Sequence, residues 1–176
     1  MKPAPMSRAP GLDRAAFVAL GSNLGDSLSV IREALRRLQA LSTEPLEVSS
    51  LWRTTPVDCP ADAPLFVNAA ARLRPRLDET PETLLGKLQA LETELGRAPK
   101  RTFNEPRAID LDLIAFGAET RATAFLTLPH PRARQRRFVL EPLNEIAPAF
   151  VLPGESLTVS GLLAGLRTAE ACARIG

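Results

Sequence analysis

The chain has 176 residues, 45% hydrophobic and 24% charged, with a net charge of only +2. That is enough length for one domain with a buried core, and too small an imbalance for a polyelectrolyte partner to be read from charge alone. No apolar run is long enough to cross a bilayer, and Cys59 and Cys172 match no metal or redox spacing, so a cytoplasmic, reducing location with no membrane partner is expected.

Residues 1–13 are rich in Pro and Ala and lack the apolar centre of a signal peptide; they are expected to form a loosely ordered tail, with 14–176 as a single domain. Ala15 to Leu20 is a short apolar run, read as a buried strand. Gly21-Ser22-Asn23-Leu24-Gly25 turns the chain, and Asp26 or Ser27 can cap a helix whose apolar face is Leu28, Ile31, Leu35, Leu38 and Leu41. Leu46 to Arg53 reads as a strand, and Thr54 to Pro64, with three prolines, as a loop. From Leu65 to Leu73 the pattern alternates: Val67, Ala69, Ala71 and Leu73 share one face, and Phe66, Asn68, Ala70 and Arg72 the other. Thr80-Pro81 opens a second helix with a stripe of Leu84, Leu88, Leu91 and Leu95, closed by Gly96. A basic loop leads to the strand Ile109 to Ile114. A short helix within Arg132 to Leu143 and a weaker one within Leu157 to Thr168 complete the chain. The expected class is α+β: a ferredoxin-like β-α-β-β-α-β sandwich, helices on one face of an antiparallel sheet, plus a C-terminal appendage.

The chemistry concentrates at Asp110-Leu111-Asp112. On a strand the two carboxylates share a face, roughly 6.5–7 Å apart along the chain. Like charges that close stay ionised only beside something positive, and Mg²⁺ is held in this way by one or two carboxylates plus substrate phosphates. Arg97, Lys100, Arg101 and Arg107 precede the pair, and His130, Arg132, Arg134, Arg136 and Arg137 follow it. Carboxylates for metal and arginines for oxyanions are the requirements of phosphoryl transfer. Neither a P-loop nor a dinucleotide fingerprint is present: Gly86-Lys87 is followed by Leu88, inside a helix. Each feature has a bland counterpart. An Asp-x-Asp pair can be a solvated edge, an arginine run a solvated face, and Gln89 and Glu92 ordinary flank residues beside a leucine stripe. Two other functions use such parts. A metal-dependent nucleic-acid enzyme would need a broad basic stripe and stacking aromatics, but there is no Tyr and one Trp. A binding module without turnover would not need so complete a set of charged groups.

In order along the chain come Ala19 to Asp26, Phe66-Val67-Asn68-Ala69-Ala70, Pro106-Arg107 through Leu113, and Leu128-Pro129-His130-Pro131-Arg132 followed by Arg136, Phe138-Val139-Leu140 and Pro142 to Pro148. From about Ala15 to Leu166 this resembles the 6-hydroxymethyl-7,8-dihydropterin pyrophosphokinase family of folate biosynthesis. The resemblance implies an ATP-dependent diphosphotransferase that moves pyrophosphate onto a reduced pterin and releases AMP. It implies that Asp110 and Asp112 hold two Mg²⁺ ions, and that Arg97 and Arg107 grip phosphates and act in catalysis. ATP would also meet Gln89, Leu113, Thr127, His130 and Arg136. The pterin would lie between Phe66 and Phe138, its edge read by Asn68 and by Thr54, Thr55, Pro56 and Val57. ATP and the pterin are the expected partners, no nucleic acid is, and a monomer is expected. Departures from the family pattern are Asn104-Glu105 in place of Trp-Gly, Pro99 and Phe103 at positions of further arginines, and Phe66 where Tyr is frequent. The loops Thr55 to Pro64 and Ala98 to Glu105 are expected to close over the substrates.

Overall fold

A computed structural model describes residues 14–57, 63–98 and 106–175. The tail 1–13, Cys59, Lys100, Arg101 and the central parts of both loops expected to close lie outside them.

Strand β1 (Ala16–Ser22) is the spine, pairing antiparallel with β4 (Phe66–Leu73) on one side and with β5 (Asp110–Phe116) on the other. Beyond β4 lie β2 (Glu47–Val48) and β3 (Trp52–Thr54), which together replace the single strand expected over Leu46 to Arg53. Ser49 breaks that strand in two. Its hydroxyl accepts the Ala70 N–H at 2.9 Å, so a side chain substitutes for one rung of the ladder.

Helix α1 (Ser27–Leu38) starts where the Asp26 carboxylate accepts the Ser29 N–H at 3.1 Å. Helix α2 (Pro81–Glu94) opens on a reciprocal Thr80–Thr83 box with Pro81 in the first turn, and it stops before Gly96 at φ +89°. Both lie on one face of the sheet. Ile31, Ala34 and Leu38 from α1 and Leu84, Leu88 and Leu91 from α2 meet Val18, Leu20, Val67, Ala69, Leu111 and Leu113 in the larger core. The expected antiparallel sheet with α1 and α2 on one face is present, with two short strands between α1 and β4 where one was expected.

The opposite face differs from the expectation. After the short strands β6 (Arg121–Ala122) and β7 (Thr127–Leu128) come α3 (Arg137–Ile146) and α4 (Val159–Gly165). These form a second layer over Phe17, Ala70, Ile114 and Ala115, with Leu140, Leu143 and Phe150 buried in it. The C-terminal region is therefore a structural layer, and strand β8 (Cys172–Arg174) extends the sheet beside β3. Phe17 explains why one end of this face is covered: it is fully buried, with its ring centroid 4.4 Å from that of Phe150. Beyond it, β1 presents only Ala19 and Gly21 on this face, and there the face opens.

Phe17→Ala should lower the unfolding free energy by about 3–5 kcal/mol, the usual cost of emptying an aromatic core site. Urea titration measures it; a loss below about 1 kcal/mol would mean that the second layer is not integral to the fold.

Candidate active site

The cleft at the open end of this face has a volume of about 480 Å³. Its floor is made by cross-strand registry. Gly21 stands opposite both Asn68 on β4 and Asp110 on β5, and Ala19 opposite both Ala70 and Asp112. Gly21 is required by space rather than by φ: a Cβ there would come within 2.9 Å of the Asn68 Oδ1. Small residues on the middle strand thus make a trough with a carboxamide on one bank and two carboxylates on the other.

On the first bank, buried Asn68 donates from Nδ2 to the Thr54 hydroxyl at 2.6 Å. Phe66 is half-buried beside it, and Thr54, Thr55 and Val57 continue the wall. Phe138, at the start of α3, faces the same cleft, with the Arg136 guanidinium 5.2 Å from its ring centre.

On the second bank, Asp110 is gripped twice. Its Oδ1 lies 2.7 Å from Arg97 and its Oδ2 2.7 Å from Arg107. The Arg107 loop is fixed by Asn23, whose Oδ1 accepts the Arg107 N–H at 2.9 Å while its own N–H donates to the Arg107 carbonyl at 3.2 Å. The Asn23 Nδ2 also reaches the Pro64 carbonyl at 3.3 Å, so one side chain ties the two loops that frame the cleft. Asp112 is half-buried, and among the described residues no ion pair reaches it directly. Lost hydration, and then the charge of Asp110, push its carboxyl well above the ordinary range, against the pull of Arg136, Arg97 and Arg107.

His130 is placed by a bulge. β1 and β5 slip register so that Ile114 is extra between Ala115 and Leu113, and its carbonyl accepts the His130 N–H at 2.9 Å. The His130 Nδ1 accepts the Arg132 N–H at 3.3 Å, which leaves Nε2 as the protonated nitrogen. Burial first, then Arg136 and Arg132, lower its pKa to about 4, so the ring is a neutral hydrogen-bond donor at neutral pH.

The structure brings together Arg97, Arg107, Asp110, Asp112, Gln89, His130, Arg136, Thr54, Thr55, Val57, Phe66, Asn68 and Phe138 around the cleft. It does not bring Leu113, Thr127 or Pro56 to the lining. Leu113 points into the larger core by strand alternation, so any nucleotide contact there would run through its backbone; Thr127 is exposed on β7. The sequence reading passed over Glu92. It is buried, accepts the Leu111 N–H at 2.6 Å and pairs with Arg97. Burial, reinforced by Asp110, raises its pKa to about 7, although the Leu111 N–H and Arg97 oppose this. The available signal was a carboxylate one residue past Leu91, three past Gln89 and five before Arg97.

The donor set suits magnesium. Two carboxylates on one strand face leave room for phosphate and water oxygens, and the raised Asp112 carboxyl is a group that a cation would hold ionised. Among the described residues no group of three or more His, Cys, Asp or Glu is placed to hold a metal ion.

Residues 17–148 match the family model described as 7,8-dihydro-6-hydroxymethylpterin-pyrophosphokinase. The chain belongs to this family. A Pseudomonas aeruginosa relative named 2-amino-4-hydroxy-6-hydroxymethyldihydropteridine pyrophosphokinase is 41% identical over 138 residues, 78% of this chain and 83% of that protein. The Haemophilus influenzae protein of the same name is 38% identical over 143 residues, 81% and 87% of the two chains. The Pneumocystis carinii folic acid synthesis protein fol1 is 36% identical over 84% of this chain, which spans only 20% of that protein. Among solved structures, Plasmodium falciparum HPPK-DHPS with pteroate superposes with a TM-score of 0.67 at 14% identity, covering 86% of this chain and 42% of that one, a likeness of fold.

His130 is the one histidine of this family member, so its titration can be read directly by NMR. The midpoint should fall near 4; one near the ordinary value of about 6.5 would contradict the buried, arginine-flanked placement. The sign follows from linkage. Between the two values the unfolded chain binds a proton that the folded chain refuses, so this residue's contribution to stability falls as pH drops through that window.

Proposed function

We propose that this chain transfers pyrophosphate from ATP to the hydroxymethyl group of 6-hydroxymethyl-7,8-dihydropterin, releasing AMP and the pterin diphosphate, in folate biosynthesis. The observation that carries this reading is the row Asn68–Gly21–Asp110, which sets an aromatic-walled slot and an arginine-bound acid pair across one glycine. The names borne by the family's curated members support it.

On this reading the pterin ring stacks between Phe66 and Phe138, and Asn68 with the Thr54 to Val57 wall, Pro56 included, reads its polar edge. Asp110 and Asp112 would hold the two Mg²⁺ ions, whose charge offsets that of the triphosphate and acidifies the attacking hydroxyl. Arg97 and Arg107 sit on Asp110 until ATP arrives, and then exchange it for phosphate oxygens. Their planar forks match such oxygens and stabilise the charge that grows there. His130 donates Nε2–H to the triphosphate, Arg136 adds its positive charge there, and Gln89, Leu113 and Thr127 serve the nucleotide. The hydroxyl oxygen attacks the β-phosphorus, the bridge to the α-phosphate breaks, and AMP departs with the bridging oxygen.

Three finer readings accompany it. The strand order β5-β1-β4-β3 supports a ferredoxin-like topology for the first five strands. No helix among the described residues is long and apolar enough to cross a membrane, consistent with a cytoplasmic enzyme. We read the chain as active as a monomer.

Incubation with ATP, Mg²⁺ and 6-hydroxymethyl-7,8-dihydropterin should yield AMP; ADP, or no nucleotide product, would overturn the proposal. Asp110→Asn and Asp112→Asn should each reduce kcat by about 10²–10³-fold, the scale of losing one group that stabilises the transition state.

A further inference from the structure

Helix α3 begins without a side-chain cap of its own. Arg136 at its N-cap makes no capping bond, and the first turn carries no acid, although the first N–H groups of a helix need partners. The partner comes from 32 residues downstream. The Glu170 carboxylate accepts the Phe138 N–H at 3.1 Å. Immediately after Glu170 the chain crosses to the other wall of the slot. The Thr55 N–H donates to the Ala171 carbonyl at 3.1 Å, and the Ala171 N–H to the Thr55 hydroxyl at 3.1 Å. β8 then pairs in register, Thr54 with Cys172 and Trp52 with Arg174. The far end is tied down as well: Arg174 reaches Glu145 on α3 at 2.7 Å, and the same carboxylate accepts the Ser50 N–H at 2.7 Å. Residues 170–174 lie beyond the 17–148 that match the family.

We infer that residues 170–174 form a strap that sets the width of the pterin slot, with Glu170 as its positioning residue: one end holds Phe138, the other holds Thr54 and Thr55. The inference rests on the proposed pterin site. An aromatic sandwich binds a flat ring only when the two walls stand one ring thickness apart, and among the described residues the 170–171 segment is bonded both to the Phe138 N–H and to Thr55. The bond to Phe138 is charge-assisted and geometrically single, so a shortened or absent side chain loosens one wall. Arg136, the ATP-side neighbour, is held separately by its own N–H to the Ala133 carbonyl at 3.3 Å, so ATP binding should be spared.

The test is steady-state kinetics on the full chain. Glu170→Ala should raise KM for the pterin about tenfold and leave KM for ATP within about twofold. Glu170→Gln, which keeps an acceptor oxygen for the Phe138 N–H, should restore most of the loss. Glu170→Asp, too short to reach that N–H, should behave as the alanine variant and serves in its place if the latter does not fold. Asn68→Ala is the control for the slot itself. A raised pterin KM in Asn68→Ala with both KM values unchanged in Glu170→Ala would overturn the strap and leave the site standing. Equal rises for both substrates would mean general loosening and would also overturn it. An unchanged pterin KM in Asn68→Ala would remove the site, and the strap with it.

Discussion

Everything at the cleft depends on β1 lying between β4 and β5 with a glycine at one position. Antiparallel registry puts Gly21 level with Asn68 and with Asp110, so the two banks are one strand apart on each side, across a residue with no side chain. Two residues earlier, Ala19 is level with Ala70 and Asp112, and the trough continues. Two earlier again, Phe17 ends it and becomes the seat of the second helical layer. Side-chain size along alternate positions of one strand therefore decides where this face is core and where it is cleft.

The charge arrangement follows from that placement. Carboxylates set into a trough lose hydration, and the loss is larger than any exposed ion pair would repay. Asp110 is answered by two arginines, each bond worth on the order of 1.5–3 kcal/mol. Asp112 is left to the more distant field of Arg136, Arg97 and Arg107. The site is unbalanced electrostatically: Asp112 has no direct cation partner among the described residues, while burial first, and then Arg136 and Arg132, keep His130 neutral.

Much of this was legible in the sequence, because strand alternation is a strong signal. A period of two put Phe66 with Asn68 on one face of their strand and Asp110 with Asp112 on one face of theirs, and the helix stripes and the Thr80-Pro81 start were legible from caps and a period near 3.6. What escaped was tertiary. Ser49 interrupts a strand only because its hydroxyl can reach Ala70. Glu92 looks like a flank residue until β5 is laid against α2 and its Leu111 N–H needs an acceptor. Leu113 and Thr127 came from the family likeness rather than from the pattern, and alternation puts the Leu113 side chain on the far face. The helices α3 and α4 were legible as short helical stretches, but not that they cover the second face, because that depends on what they pack against; β8, with three residues, carries almost no periodic signal.

The most direct test of the central claim is the pterin KM of Gly21→Ala, measured beside the ATP dissociation constant by calorimetry. The new methyl would meet the Asn68 Oδ1 at 2.9 Å, so the buried Asn68 carboxamide, whose Nδ2 is bonded to Thr54, would have to shift. The pterin KM should rise by about tenfold or more, the scale of one disrupted buried hydrogen bond, with ATP affinity little changed. A folded variant with wild-type pterin KM would contradict the claim that this one small residue sets the separation of the two banks.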